Sequence, residues 1–309
     1  MRSRPLLTLA ALSVSALALA GCTGTSDGEA SASADALCAA AAPSGDASEA
    51  VTVDGEAGQI STATFDAGLT IEELERTVVS DGDGEALQEG DLVEYALSAF
   101  SADTAEKVGD IGYVGGEVLP TTVSAESNLG QIMGCANVGS RLVVTFPASE
   151  SAGAEVYIVD VLGVTPAAAW GEEETPAGGL PTVELGEGGV PTVEIPDAEA
   201  PTEVELGVLK RGDGEVVESG DNVLVQYHGV KWSDGEVFDS SWDRGTPAAF
   251  ATTGVVDGFR QALEGQTVGS QVVVVVPPAA GYGASEGHEL QNETLVFVVD
   301  ILGTQHAAA

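Results

Sequence analysis

The strongest constraint on this chain is that it contains itself twice. The run Glu75-Arg76-Thr77-Val78-Val79-Ser80-Asp81-Gly82-Asp83-Gly84-Glu85 returns as Glu205-Leu206-Gly207-Val208-Leu209-Lys210-Arg211-Gly212-Asp213-Gly214-Glu215, 130 positions on. The same offset aligns Gly90-Asp91 with Gly220-Asp221, Val138-Gly139-Ser140 with Val268-Gly269-Ser270, and Pro147 with Pro277. Past Pro147 it becomes 140, since Tyr157-Ile158-Val159-Asp160-Val161-Leu162-Gly163 matches Phe297-Val298-Val299-Asp300-Ile301-Leu302-Gly303. Copy one therefore lacks ten residues at that place. A long internal period implies one structural unit made twice. The boundaries that follow are 45–165 for the first unit and 181–305 for the second. The Pro-, Gly- and Glu-rich stretch 166–180 reads as a linker between them.

Within the second unit, Val223, Val225 and Tyr227 alternate with Leu224, Gln226 and His228, which places the first three on one face of a strand. The unbroken β-branched run Val272 to Val276 predicts a strand covered on both faces. Thr294 to Leu302 predicts a third strand. Between them, Asp257 to Gly265 has an acidic start and a glycine stop, with Phe259 and Leu263 four apart on one face of a short helix. The expected fold class is α+β, with each unit a curved antiparallel sheet wrapped around a short helix.

Ten basic against 49 acidic residues give a formal net charge of -39. Such a surface repels phosphate backbones, so nucleic acid is not an expected partner. The acid is read as keeping an exported protein soluble. At the N-terminus, Arg2 and Arg4 precede an apolar run from Leu6 to Ala20, the layout of a secretory signal. It ends in Leu19-Ala20-Gly21-Cys22, which resembles the lipobox of bacterial lipoproteins. That resemblance implies cleavage before Cys22, diacylation of its thiol and a membrane anchor of two or more chains, enough for stable attachment. Residues 1–22 are then the leader with its lipobox, 23–44 a flexible tether, and the location the outer side of the cell membrane. Two cysteines remain, Cys38 and Cys135. An exported compartment permits a bridge between them, with two buried free thiols as the alternative.

The second unit gathers Tyr227, Phe238, Phe250, Phe259, Tyr282 and Phe297 near glycine turns, the signature of an apolar ligand cleft. Tyr227-His228-Gly229, then Gly235 to Gly245 with Phe238-Asp239 and Arg244, then Val255-Val256-Asp257-Gly258-Phe259, Gly281-Tyr282-Gly283 and Thr294 to Phe297 resemble the FKBP-type peptidyl-prolyl cis-trans isomerases. The resemblance covers about residues 203–303. It implies a cleft with Phe259 as floor and Tyr227, Phe238, Val255, Val256, Tyr282 and Phe297 as walls. Asp239 would lie at the rim, steadied with Tyr227 by Arg244, and Phe250 and Leu290 would touch substrate. The family often has tryptophan at the place of Phe259 and an aromatic at that of Ala248, which implies a shallower pocket here. Proline-containing exported polypeptides are the implied substrates and macrolide immunosuppressants the implied ligands, with no cofactor.

Copy one departs at these positions. Leu97 stands for Tyr227, Val108 for Phe238, Gly109 for Asp239 and Leu129 for Phe259, and the ten missing residues remove the Gly-Tyr-Gly loop. The first unit is expected to keep the fold without the cleft. Two stretches match the nucleophile-elbow pattern, Gly24 to Gly28 and Gly283 to Gly287, but neither has a strand-turn-helix context, so serine hydrolysis is not expected. His228, His288 and His306 share no ligand spacing, so no metal is expected. Two functions from different classes remain. One is an isomerase that assists folding of exported proteins; the other is a non-catalytic module that holds proline-containing segments in the same cleft.

Overall fold

A computed structural model describes residues 35–176 and 178–307. Cys22, the leader and the tether up to residue 34 lie outside the described residues. The described residues open with a helix over 35–40 (α1), then α2 (Asp46–Glu49) and a hairpin of β1 (Thr52–Asp54) and β2 (Thr62–Thr64). There follow β3 (Glu75–Ser80), β4 (Leu92–Ser101), β5 (Lys107–Ile111), β6 (Thr121–Thr122), α3 (Asn128–Met133), β7 (Arg141–Phe146) and β8 (Glu155–Thr165). They form an antiparallel sheet in the order β3-β7-β8-β4-β5, with β6 also on β4.

After β9 (Glu172–Glu173) comes a second hairpin, β10 (Thr182–Leu185) with β11 (Pro191–Glu194). The remaining elements are β12 (Glu205–Arg211), β13 (Asn222–Lys231), β14 (Val237–Ser240), α4 (Ser241–Arg244), β15 (Ala248–Ala251), α5 (Asp257–Leu263), β16 (Gln271–Val276) and β17 (Leu295–Gln305). Their sheet runs β14-β13-β17-β16-β12-β9, with β15 on β13. Strands that match in sequence occupy matching places, so apart from β9, which the second sheet adds beyond β12, each sheet repeats the order of the other. The α+β arrangement, a sheet with one short helix against it, holds in both.

Burial explains the sequence pattern strand by strand. On the inner face Val272, Val274 and Val276 join Val223, Val225, Tyr227, Phe259 and Leu263 in one core. On the outer face Val273, Val275, Val296 and Val298 meet Val230 and Trp232, under Val183 and Val193 of the second hairpin. A strand so enclosed has no polar side, and hence the unbroken valine run. The first hairpin does the same in the first unit, laying Val53 and Ala63 on Val143, Val156 and Ile158. The helix α5 lies close on β16. A Cβ added to Gly258 would come within 2.5 Å of Val276 Cγ1, so only glycine allows that approach.

Two expectations about connecting segments need correction. The stretch 166–180 is not merely a linker: Ala169 N–H donates to Asp300 Oδ2 at 2.8 Å, and β9 pairs with the edge strand β12. A buried carboxylate and an open sheet edge both demand partners, and this segment supplies them. Nor is all of 23–44 a tether. Leu37 is fully buried in the first unit's core, and Cys38 is bonded to Cys135 with Cα atoms 4.2 Å apart.

Candidate active site in the second unit

Five elements and two connections of the second unit converge on one hollow of about 260 Å3. Its lining is Tyr227 from β13, Phe238 and Asp239 from β14, Phe250 from β15, Gly254, Val255 and Val256 from the turn before α5, Phe259 from α5, Tyr282 from the β16–β17 connection, and Phe297 from β17. Phe259 is 4% exposed and anchors the ring cluster. Its ring meets Phe297, Tyr227 and Phe250 edge-on, with centroids 5.0, 5.9 and 5.9 Å away. Phe238 meets Phe297 in the same way at 5.4 Å. Edge-to-face contacts satisfy the ring quadrupoles and fix each ring against its neighbour. The rings press on the sheet backbone: a Cβ on Gly229 would lie 2.7 Å from Phe238 Cζ.

A polar brace closes one side. The Tyr227 hydroxyl donates to Asp239 Oδ2 at 2.5 Å and accepts from Arg244 Nη2 at 2.7 Å, while Arg244 Nη1 pairs with Asp239 Oδ1. The guanidinium also lies 5.2 Å from the Tyr227 ring centroid. Burial, then the bond to Asp239, pushes the Tyr227 phenol above its ordinary pKa, so it stays a neutral donor. The brace is held in place by α4. Ser241 Oγ accepts from Tyr227 N–H at 2.7 Å and donates to Gln226 Oε1 at 2.5 Å, and Ser240 accepts from Asp243 N–H at the helix start. Gly245, at φ +75°, ends the turn in the left-handed region where glycine is unstrained.

Arg244 sits outside the lining and acts through Tyr227 and Asp239. Leu290 needs correction: it is 6% exposed and packs with the apolar core, and it is not one of the residues that line the hollow. Two features escaped sequence reasoning. Gly254 lines the hollow, a place its position next to Val255-Val256 suggests. His288 stacks on Tyr282 with centroids 4.1 Å apart and planes 3° from parallel. Its Nδ1 accepts from Leu290 N–H at 3.1 Å.

The first unit builds no such set. Val108 is 65% exposed, and the connection from β7 to β8 is too short to carry a counterpart of Tyr282. Tyr157, which stands where Phe297 stands, packs on Phe146 at 5.1 Å and donates its hydroxyl to Glu155 Oε2. Burial, then that carboxylate, pushes its pKa up to about 12.

Residues 214–302 match the family model described as FKBP-type peptidyl-prolyl cis-trans isomerase. A probable FK506-binding protein of Corynebacterium glutamicum is 38% identical over 104 residues, which cover 33% of this chain and 88% of that one. An FK506-binding protein of Streptomyces anulatus is 38% identical over 107 residues, 33% of this chain and 86% of its own. The FKBP-type 22 kDa peptidyl-prolyl cis-trans isomerase of Escherichia coli is 39% identical over 101 residues, 32% of this chain and 48% of its own. With 88% and 86% of the Corynebacterium and Streptomyces relatives aligned at 38% identity, the chain belongs to the FKBP-type peptidyl-prolyl cis-trans isomerases.

Proposed function

We propose that the aromatic hollow of the second unit is where the isomerisation occurs, and that its substrates are X-Pro bonds of exported polypeptides at the membrane surface. The observation that carries this reading is the convergence of Tyr227, Phe238, Phe250, Phe259, Tyr282 and Phe297 around one apolar space of about 260 Å3, of a size for a pyrrolidine ring and its neighbours. Rotation about a peptide C–N bond must cross about 18–20 kcal/mol because it destroys amide resonance. The twisted amide is less charge-separated than the planar one, so a dry aromatic environment favours it. The Tyr282 hydroxyl serves as the donor that orients a substrate carbonyl, with the ring held by His288. Each tenfold of rate needs only about 1.4 kcal/mol of differential binding, and several-thousand-fold needs about 5 kcal/mol.

A protease-coupled proline isomerisation assay on the full chain tests the site. Phe259→Leu, which installs the residue that the first unit has at this position, is expected to lower kcat/KM about tenfold. Unchanged kcat/KM would remove Phe259 from the floor. No rate above background in the unaltered chain, with proline-peptide binding retained, would leave a binding module.

The location rests on the leader and on Leu19-Ala20-Gly21-Cys22. In a bacterial host that expresses the full chain, labelled palmitate is expected to enter the protein and to be absent from Cys22→Ser. Equal labelling of both would end the anchor proposal.

A further inference from the structure

The end of β17 runs directly into the first unit. Gln305 Nε2 donates to the Glu117 carbonyl at 2.9 Å, and His306 N–H donates to the Gly116 carbonyl at 2.8 Å. The approach is close enough to require glycine, since a Cβ on Gly116 would come within 2.2 Å of His306 Cδ2. Beside it Leu92 and Leu119 of the first unit pack with Leu224 and Leu302 of the second. The segment 112–120 that makes this contact stands, at the repeat offset, where 242–250 stands in the second unit. There the corresponding residues carry Arg244 and Phe250, one of the rings that line the hollow. In the first unit, which has lost the hollow, they seat the neighbour's tail.

One ionisable pair sits at the centre of the seat. His306 Nδ1 lies 2.9 Å from Asp221 Oδ2, and the Asp221 side chain is 1% exposed while that of His306 is 34% exposed. The carboxylate also accepts from Glu218 N–H, the Thr304 hydroxyl and Ala307 N–H, so it is fixed in direction. We propose that the His306–Asp221 pair, which lies within the second unit, is a proton-operated latch on the tail of β17: with the imidazole charged it fixes the tail whose Gln305 side chain and His306 N–H bind Glu117 and Gly116 of the first unit, and with the imidazole neutral that hold loosens.

The groups that face His306 are acidic. Asp221 is in contact, Glu218 and Glu215 act from the connection between β12 and β13, and on the opposing segment Glu117 turns its carboxylate onto Gly112 N–H at 2.7 Å. The bond to Asp221 is the main reason that the His306 pKa stands above its ordinary value. Burial acts to raise Asp221, but the bonds from Glu218, His306 and Thr304 outweigh it and hold its pKa low. A base whose pKa is raised on folding contributes stability that is complete below its unfolded pKa, about 6.5, and is lost as pH rises through the folded value. The acid's share is present above its unfolded pKa and is lost as pH falls through the folded one. The latch is thus closed through mildly acidic pH and opens as pH rises through the raised pKa of His306.

Hydrogen exchange of the full chain between pH 5.5 and 9, corrected for the intrinsic pH dependence of exchange, reads the latch. Peptides covering 112–118 and 303–307 are expected to lose protection at least tenfold across a midpoint above 6.5, with β16 unchanged. His306→Gln keeps a side-chain donor but does not titrate, and its exchange is expected to show no such transition. A wild-type profile without the transition would overturn the latch. A Gln variant that retains it would do the same.

Discussion

Arg141→Met is expected to destabilise the first unit by about 3–5 kcal/mol, the cost of leaving a buried charge without its partner. The Arg141 and Asp160 side chains are 2% and 1% exposed, and they are joined twice, Nε to Oδ1 at 2.6 Å and Nη2 to Oδ2 at 2.7 Å. The same guanidinium donates to the Gly55 carbonyl at 2.8 Å and the Gln59 carbonyl at 2.6 Å, which ties down the loop between β1 and β2. At urea slopes of about 1–3 kcal/mol per molar, the midpoint of the first unit should fall by about 1 M or more. All three tryptophans, Trp170, Trp232 and Trp242, follow the first unit in the chain, so their fluorescence should report an unmoved second transition. Arg141→Gln installs the second unit's own choice, where Gln271 Nε2 donates to Asp300 Oδ1 at 2.7 Å, and should cost less. Arg141→Met with Asp160→Leu should recover most of the loss, since no charge is then stranded. A midpoint unmoved in the single variant would mean that water reaches Asp160.

Reduction of the Cys38–Cys135 bridge should cost the same unit up to about 4–5 kcal/mol. The bonded residues are 97 apart in sequence, and in the chain-entropy model a loop of that length is worth about that much. The effect should exceed the entropy alone in one respect, because Leu37, next to Cys38, fills part of the core beside Met133 and Leu142. Amides in α1 and α3 should lose exchange protection first under dithiothreitol, while the isomerase rate, which belongs to the cysteine-free second unit, stays as it was. Equal protection with and without reductant would show that packing alone holds α1.

Much of this architecture was legible in the residues. The offset between copies matched the strands of the two sheets apart from β9, and period-two alternation put Val223, Val225 and Tyr227 on the core side. The aromatic wall was legible chiefly through the family resemblance, since clustered rings alone serve a core as readily as a cleft. What stayed hidden was contact between distant segments. Nothing local in Pro166 to Leu180 marks Ala169 as the donor that Asp300 lacks, since that need arises only once Asp300 is buried. Leu37 likewise sits in an alanine-rich stretch with no visible period, and its place in the core follows from contacts with the distant α3 and Cys135. Leu290 was misread because sequence order puts it beside the Tyr282 loop, whereas its burial turns it inward. Arg141 and Asp160, paired across β7 and β8, lie 19 positions apart with no shared motif.

The docking of Ala169 sets a left-hand limit for anyone who would excise an autonomous isomerase from this protein. A fragment that opens at Pro181 discards the amide on Asp300, the short strand along β12 and the Trp170 ring that lies against Gly269. Opened at Pro166, the excised piece carries its own missing edge with it. By sequence those fifteen residues belong to neither copy; by structure they carry β9, the strand that edges the second unit's sheet.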